Sequence, residues 1–425
     1  MKIYKNPNKK LQLELIKRID NPSIDNSEFI KEVFDRIASS GDEALISYIN
    51  KYDRNSGKQL KIDVDELDTT SLDKALVNAI DMAYDNIYAF HISQRQESKK
   101  IETIKGVECW LDYKAIPRVG LYIPGGTAPL LSTVLMLGIP AKIANCPEIV
   151  LCTPANGEGL VDEAIAYCCK KLGIKSIYLA GGAHAIAAMA LGTETVPKVD
   201  KLFGPGNQYV TAAKRYAVGL GTAIDMPAGP SELLVIANES SNPEYVASDL
   251  LSQAEHGSDS QVVLCSNSLA LIERVNEALL LQLDCLPRKQ LASESLKNSF
   301  AVYFDEMARC IEFSNLYAPE HLSIAFDARD EQLEGIVNAG SVFIGPYSCE
   351  SAGDYMSGTN HTLPTSQFAR SYGGVTLASF QKSVSFQRIS KNGLTVMGEG
   401  IQLMARAEGL EGHARAVSVR LNSKD

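Results

Sequence analysis

From about Gly120 onward the chain repeats one pattern, a short apolar run of strand length followed by a stretch of helical character. Its instances are "EIVLCTP" (Glu148 to Pro154), "SIYLAGGAHAIAAMALG" (Ser176 to Gly192), "ELLVIA" (Glu232 to Ala237), "QVVLCS" (Gln261 to Ser266), "HLSIAF" (His321 to Phe326) and "SVFIG" (Ser341 to Gly345). Alternation of this kind argues for parallel sheets covered by helices, in two successive modules. The length agrees, because 425 residues are too many for one core and suggest roughly two to four domains.

The first hundred residues read as helical instead. Ile30, Val33, Phe34 and Ile37 follow an i, i+3, i+4, i+7 stripe. Leu76, Ile80, Ala83, Ile87 and Phe90 form a second, entered from a cap at Thr70 with Asp73 three residues on. His91 extends that stripe and reads as a packing or surface residue. The expected organisation is a helical arm over 1–22, a first α/β domain over 23–119 plus 232–371, an inserted α/β domain over 120–231, and a C-terminal tail domain over 372–425. The fold class is α/β, with two Rossmann-like parallel-sheet modules, a helical N-terminal segment and a small C-terminal domain.

Composition excludes several functions. A net charge of -10 argues against nucleic acid or an anionic membrane as the main partner, since both call for dense Lys and Arg. The nine cysteines show no Cys-x-x-Cys pair and no zinc-ribbon spacing, which fits a reducing compartment. The opening residues have Lys but no apolar core of signal-peptide type. No stretch approaches the length of a membrane helix. The expectation is a cytoplasmic enzyme acting on small molecules, with a processed plastid form left open.

Three clusters, "GLYIPGGTAP" (Gly120 to Pro129), "FGPGN" (Phe203 to Asn207) and "DMPAGPSE" (Asp225 to Glu232), punctuate the middle of the chain. Each alone is turn punctuation. Three in one module point to a ligand crevice at the carboxyl ends of strands. No Gly-x-Gly-x-x-Gly follows any strand, so a nucleotide assignment cannot rest on the phosphate fingerprint.

The polar residues carry the chemistry. In "LSQAEHG", Asn242, Pro243 and Gly257 read as cap, first turn and stop of a helix that puts Gln253 and His256 on one face. An amide and an imidazole there either solvate a helix end or form half of a metal site lacking an acidic ligand. "APEHL" sets Glu320 beside His321 after a proline; both reach one ligand only at an element end, because neighbours on a regular element point apart. "SAGDYMSGTNHTLPT" adds Asp354 and His361, and the tail carries Glu408 and His413. A solvated surface explains each histidine singly and the set poorly. Two imidazoles, a carboxylate and an amide make a coherent zinc-type site.

In this order and at these separations, "GLYIPGGTAPLLSTVLMLG", "VDKLFGPGN", "AIDMPAGPSE", "DLLSQAEHG", "PEHL" and "SAGDYMSGTNHTLPT" resemble the histidinol dehydrogenases over nearly the whole chain. The resemblance implies a zinc-dependent, NAD-linked oxidation of histidinol through histidinal to histidine, using two NAD+ per turnover. It implies zinc ligands Gln253, His256, Asp354 and His413, an acid–base pair Glu320 and His321, and substrate contacts at Ser231, His361 and Glu408 as well as at the ligands and His321. It implies a homodimer in which the C-terminal segment crosses over, so that His413 and Glu408 serve the partner's site. Nucleotide contacts would fall at Tyr122, His184 and Asn207. The family is expected to place Gln where this chain has His184, and an imidazole can replace one amide hydrogen bond but not both donor and acceptor.

The residue types suit that reaction. Hydride leaves a primary alcohol only as the hydroxyl proton departs, and a histidine of ordinary pKa, about 6.5, can take it at neutral pH. That role goes to His321. Oxidising the aldehyde requires a hydrate, hence a carboxylate to activate water, and Glu320 is adjacent. Zinc, without redox chemistry, would align the substrate. Two rivals are a zinc hydrolase, against which the chain has no His-Glu-x-x-His and a hydrolase would have no use for a nucleotide crevice, and a non-catalytic ligand-binding paralogue, which would be expected to have lost some of these residues.

Overall fold

The computed structural model describes residues 1–18, 26–53, 59–125, 130–156, 159–227 and 229–423. Residues 126–129 of the first Gly-Pro cluster, Ala228 of the third and the expected boundary at 22/23 lie outside them. The chain divides into two compact units, residues 1–94 with 116–380, and residues 95–115 with 381–425.

The larger unit holds two six-stranded sheets. In the first, all neighbours run parallel, in the order Lys2–Lys5, Phe300–Tyr303, Gln261–Ser266, Glu232–Ala237, His321–Ile324, Ser341–Ile344. Strand Glu232–Ala237 shows why its sequence is apolar throughout: Leu233, Val235 and Ala237 enter one core cluster and Leu234 and Ile236 the other. A parallel strand covered on both faces has no polar side to show. The second sheet runs Lys61–Asp63, Ser176–Leu179, Glu148–Thr153, Arg118–Tyr122, Lys201–Phe203, Ala223–Ile224, parallel except for its first pair. It too has a core cluster on each face.

Two parallel modules are thus what the alternation predicts, with corrections at the edges. The first hundred residues are not wholly helical. Lys2–Lys5 and Lys61–Asp63 are edge strands, one in each sheet, too short for a period to register. The helix over Lys74–Ile92 is capped by Asp73, which accepts from the N–H groups of Ala75 and Leu76, rather than by Thr70. His91 packs fully buried, its Nδ1 2.9 Å from the Ile87 carbonyl oxygen. "HLSIAF" contributes a shorter strand, His321–Ile324.

The smaller unit is a three-stranded antiparallel sheet of Ile101–Ile104, Val107–Ala115 and Gln381–Ile389, followed by helices Lys391–Ala407 and Glu411–Asn422. Residues 95–115, far from the tail in sequence, belong to this unit. Glu408 and His413 stand on it, both exposed.

Candidate active site

Sheet topology places the two halves of a cleft within the larger unit. In the second sheet the strand order reverses at Arg118–Tyr122, whose neighbours are Glu148–Thr153 and Lys201–Phe203. The crevice at such a switch point, beyond the carboxyl ends, is where open α/β sheets bind nucleotides. "FGPGN" leaves the sheet there. Gly204 has φ of +133°, and a Cβ would meet the Tyr122 carbonyl oxygen at 2.2 Å, so this glycine is required by strand-to-loop packing. Asn207 caps helix Gln208–Gly219, accepting from Tyr209 and Val210 N–H at 3.0 and 3.2 Å.

The first sheet presents its opposite edge. Ser231 and Glu320 immediately precede strands Glu232–Ala237 and His321–Ile324, so the chemistry lies at amino ends. Helices returning from the carboxyl ends complete the site. Pro243–Ala254 ends just after Gln253, and Glu350–Tyr355 carries Asp354. A cavity of about 1620 Å³ joins these parts, lined by Asn207, Ser231, His256, Glu320, His321, Asp354 and His361 among others.

Asn242 caps the first of these helices, as expected, with its side chain accepting from Glu244 N–H. Its end differs from the sequence reading: Glu255, not Gly257, closes it, and His256 lies beyond on a tighter turn, its N–H donating to the Gln253 carbonyl at 3.3 Å. Helix ends tighten in this way to use carbonyls that have lost their helical partner. His256 therefore approaches the cleft from a turn rather than from the helical face.

At the centre is His321, 3% exposed. Its Nδ1 lies 3.2 Å from the Glu232 carbonyl oxygen, 3.6 Å from Glu320 Oε2 and 3.7 Å from Glu350 Oε1, and its Nε2 lies 3.6 Å from Asp354 Oδ1. Glu320 is 6% exposed and accepts from Glu232 N–H at 2.8 Å. Glu320 and His321 reach one place because Glu320 sits just outside the strand that His321 begins.

Glu350 was not anticipated from the sequence. It is 1% exposed and accepts from Ser252 Oγ at 3.2 Å, which ties the two returning helices together. The available signal was its position four residues before Asp354, a spacing that puts both on one helical face.

Burial raises the Glu320 and Glu350 carboxyls, each to about 8, against the pull of the neighbouring imidazole. Burial lowers the His321 imidazole, but Glu320, Glu350 and Asp354 outweigh it and hold the ring above its ordinary value. His256 and His361 are lowered, mainly by burial. Burial likewise works against the Asp354 carboxylate, but His321 outweighs it and leaves this acid lowered.

Several buried polar atoms here make no hydrogen bond: both amide atoms of Gln253, His321 Nε2, Glu350 Oε1, Asp354 Oδ1 and His361 Nε2. Each such group costs about 1–3 kcal/mol unless something satisfies it. Single ligand atoms of His321, Glu350 and Asp354 lie within 4.8 Å of one another. Imidazole and carboxylate atoms this close together, with an amide left without a hydrogen bond on the adjoining helix, fit a divalent cation of the zinc type.

Comparison with known proteins gives the family. A histidinol dehydrogenase family model matches residues 17–421. The histidinol dehydrogenase of Bacteroides thetaiotaomicron is 48% identical, covering 100% of this chain and 99% of its own. The chloroplastic histidinol dehydrogenase of Arabidopsis thaliana is 49% identical, over 94% of this chain and 87% of its own. The crystal structure of the enzyme from Elizabethkingia anophelis superposes with a TM-score of 0.96 at 50% identity, over 99% and 98% of the two chains. The chain belongs to the histidinol dehydrogenase family.

Of the residues that the resemblance to histidinol dehydrogenases implies, the larger unit gathers Ser231, His256, Glu320, His321, Asp354 and His361 around one cavity. The Gln253 amide is buried on the adjoining helix. Among the three nucleotide residues, Asn207 lines the cavity. Tyr122 and His184 are buried, each 4% exposed. The Tyr122 hydroxyl accepts from Gly182 N–H at 3.0 Å, and His184 Nε2 pairs with Asp53 Oδ2 at 3.0 Å. Among the described residues, no helix is long and apolar enough to cross a membrane.

Proposed function

We propose that the protein oxidises L-histidinol to L-histidine through L-histidinal with two NAD+, as a step of histidine biosynthesis in the cytoplasm. The observation that carries this reading is the buried Glu320–His321 pair, set beside unsatisfied amide, imidazole and carboxylate atoms at the mouth of a nucleotide-type crevice.

In the first oxidation the carbinol C–H leaves as hydride to nicotinamide while the hydroxyl proton passes to His321. The Glu232 carbonyl 3.2 Å from Nδ1 can only accept, so Nδ1 keeps its hydrogen and Nε2 is the nitrogen that takes the substrate proton. Because the surrounding carboxylates favour the doubly protonated ring, Nε2 must first give up its own proton, and the step speeds up as pH rises. In the second, water adds to the aldehyde as Glu320 takes its proton. Glu320 returns that proton to the former carbonyl oxygen, completing the hydrate. Once His321 has released its first proton to solvent, the hydrate gives hydride to a second NAD+ and a proton to His321, forming the carboxyl group. A carboxyl near 8 is matched to taking and returning a proton at neutral pH.

Gln253, His256 and Asp354, with His413 of the partner subunit, would hold zinc in this reading. Zinc there would supply a positive centre that receives the amine and imidazole nitrogens of the substrate and compensates the surrounding carboxylates. Ser231 and His361 would contact the substrate from the same chain, and Glu408 of the partner subunit from the other, in a homodimer. Asn207, Tyr122 and His184 would serve NAD.

The test is stoichiometric. Histidinol and excess NAD+ are added to metal-loaded protein and NADH is counted per substrate consumed. About two is expected for a four-electron oxidation. A count of one means release at the aldehyde and overturns the second step, and none overturns the assignment.

A further inference from the structure

Arg18 commits four of its five side-chain N–H groups to protein oxygens. Its Nε and Nη2 donate to the two carboxylate oxygens of Glu232 at 2.5 and 2.7 Å. Nη1 donates to the Ile16 carbonyl and Nη2 also to the Tyr317 carbonyl, each at 2.9 Å. The guanidinium carbon lies 3.5 Å from the centre of the Tyr317 ring. The two side chains are 12% and 3% exposed, and Glu232 Oε1 accepts a further bond from Ser366 N–H at 2.8 Å.

A buried ion pair is a poor source of stability, because desolvating both charges offsets most of their attraction. Its position suggests another purpose. The backbone of Glu232 touches both members of the acid–base pair: its N–H donates to Glu320 Oε2 at 2.8 Å, and its carbonyl faces His321 Nδ1 at 3.2 Å. The ladder to strand His321–Ile324 begins only at Leu233, opposite His321. Glu232 is thus the first residue of its strand, without a ladder partner on the catalytic side. It pairs with Gln261 on its other side, and toward the catalytic pair the contacts of its side chain take the place of the missing ladder.

We propose that Arg18 is a positioning residue for the Glu320–His321 pair, acting through the carboxylate of Glu232. The proposal rests on the reading of Glu320 and His321 as the acid–base pair. Arg18 also lines the cavity, but four of its five N–H groups are spent on protein oxygens, so its effect should fall on turnover rather than on cofactor affinity.

The experiment compares Arg18→Lys and Arg18→Ala with the wild type as full-length, metal-loaded protein. The readouts are bound metal per subunit, kcat, and KM for histidinol and NAD+. A displacement of about 1 Å in a catalytic group costs about 100-fold, so Arg18→Ala should lose about that factor in kcat. Arg18→Lys, keeping the charge but not the two-pronged grip, should fall between. Metal content and KM for NAD+ should stay at wild-type values. If Arg18→Ala does not fold, Arg18→Lys carries the test. A folded Arg18→Lys with wild-type kcat overturns the proposal, as does a raised KM for NAD+ with kcat kept, which would make Arg18 a cofactor contact. Glu320→Gln and His321→Asn run alongside. If they keep full turnover, the acid–base reading itself fails; if they lose it while Arg18→Lys does not, only the positioning role fails.

Discussion

Asp249 lies one helical turn before Gln253 on helix Pro243–Ala254, so the two share a face. Burial raises its carboxyl to about 6, and no neighbouring charge or donor among the described residues offsets the loss of water. Set against an ordinary aspartate near 3.9, that corresponds to about 3 kcal/mol. The sign follows from which state holds the proton more tightly. As pH rises from about 4, the unfolded chain ionises first and is favoured, so the wild type loses stability up to about pH 6 and then levels off. Asp249→Asn removes this dependence. Because the amide must still be desolvated, the gain at pH 8 should be about 1–3 kcal/mol, and about 2 kcal/mol smaller at pH 4.5. Urea unfolding midpoints at several pH values, with protein and metal concentration held fixed, measure it. Parallel pH profiles for variant and wild type would refute the reasoning, because the carboxyl would then be no harder to ionise in the folded protein than outside it.

His321→Asn should cut histidinol oxidation by about 100-fold or more, while Glu320→Gln should chiefly slow oxidation of supplied histidinal; equal losses in both assays would contradict this division. Glu350→Gln should weaken metal retention by about 10–100-fold, the usual effect of removing a group that supports metal ligands, as read by competition with a chelator. Unchanged retention would remove Glu350 from the site. Mixing inactive Glu320→Gln and His413→Ala subunits should restore part of the activity if the tail serves the partner. Verified heterodimers without recovery would mean each site is built within one chain.

How much of this was legible in the sequence depended on how local each signal was. The strands Glu148–Thr153, Ser176–Leu179, Glu232–Ala237 and Gln261–Ser266 match their apolar runs, because doubly covered strands are apolar at every position. Edge strands of three or four residues such as Lys61–Asp63 and Lys2–Lys5 carry no such run. Residues 95–115 gave no sign that they pair with the tail, because antiparallel partners such as Val107 and Ile389 are separated by most of the chain. At the site, Glu320 and His321 could be read because a proline placed them at an element end. Glu350 could not, because an acid at the start of a short helix looks like dipole compensation. Arg18 and Glu232, 214 residues apart, share nothing that a local pattern can detect.

The two sheets meet the cleft with opposite ends, and this difference divides the chemistry between them. Carboxyl ends, with their glycine loops and the amino terminus of helix Gln208–Gly219, offer backbone N–H groups, which suit an anionic nucleotide. Amino ends offer instead the first residues of strands and the last turns of returning helices, where free carbonyls and side chains such as Gln253, Glu320 and Asp354 gather negative and neutral oxygen. Such an edge attracts cations. In the proposed reading, a substrate carrying an amine and an imidazole is better received there than at the other sheet, while the pyrophosphate of NAD+ is better received opposite. In that reading hydride passes between two ligands of unlike charge, and joining the sheets by unlike ends would bring both to the one cavity that Asn207, Glu320 and His321 line.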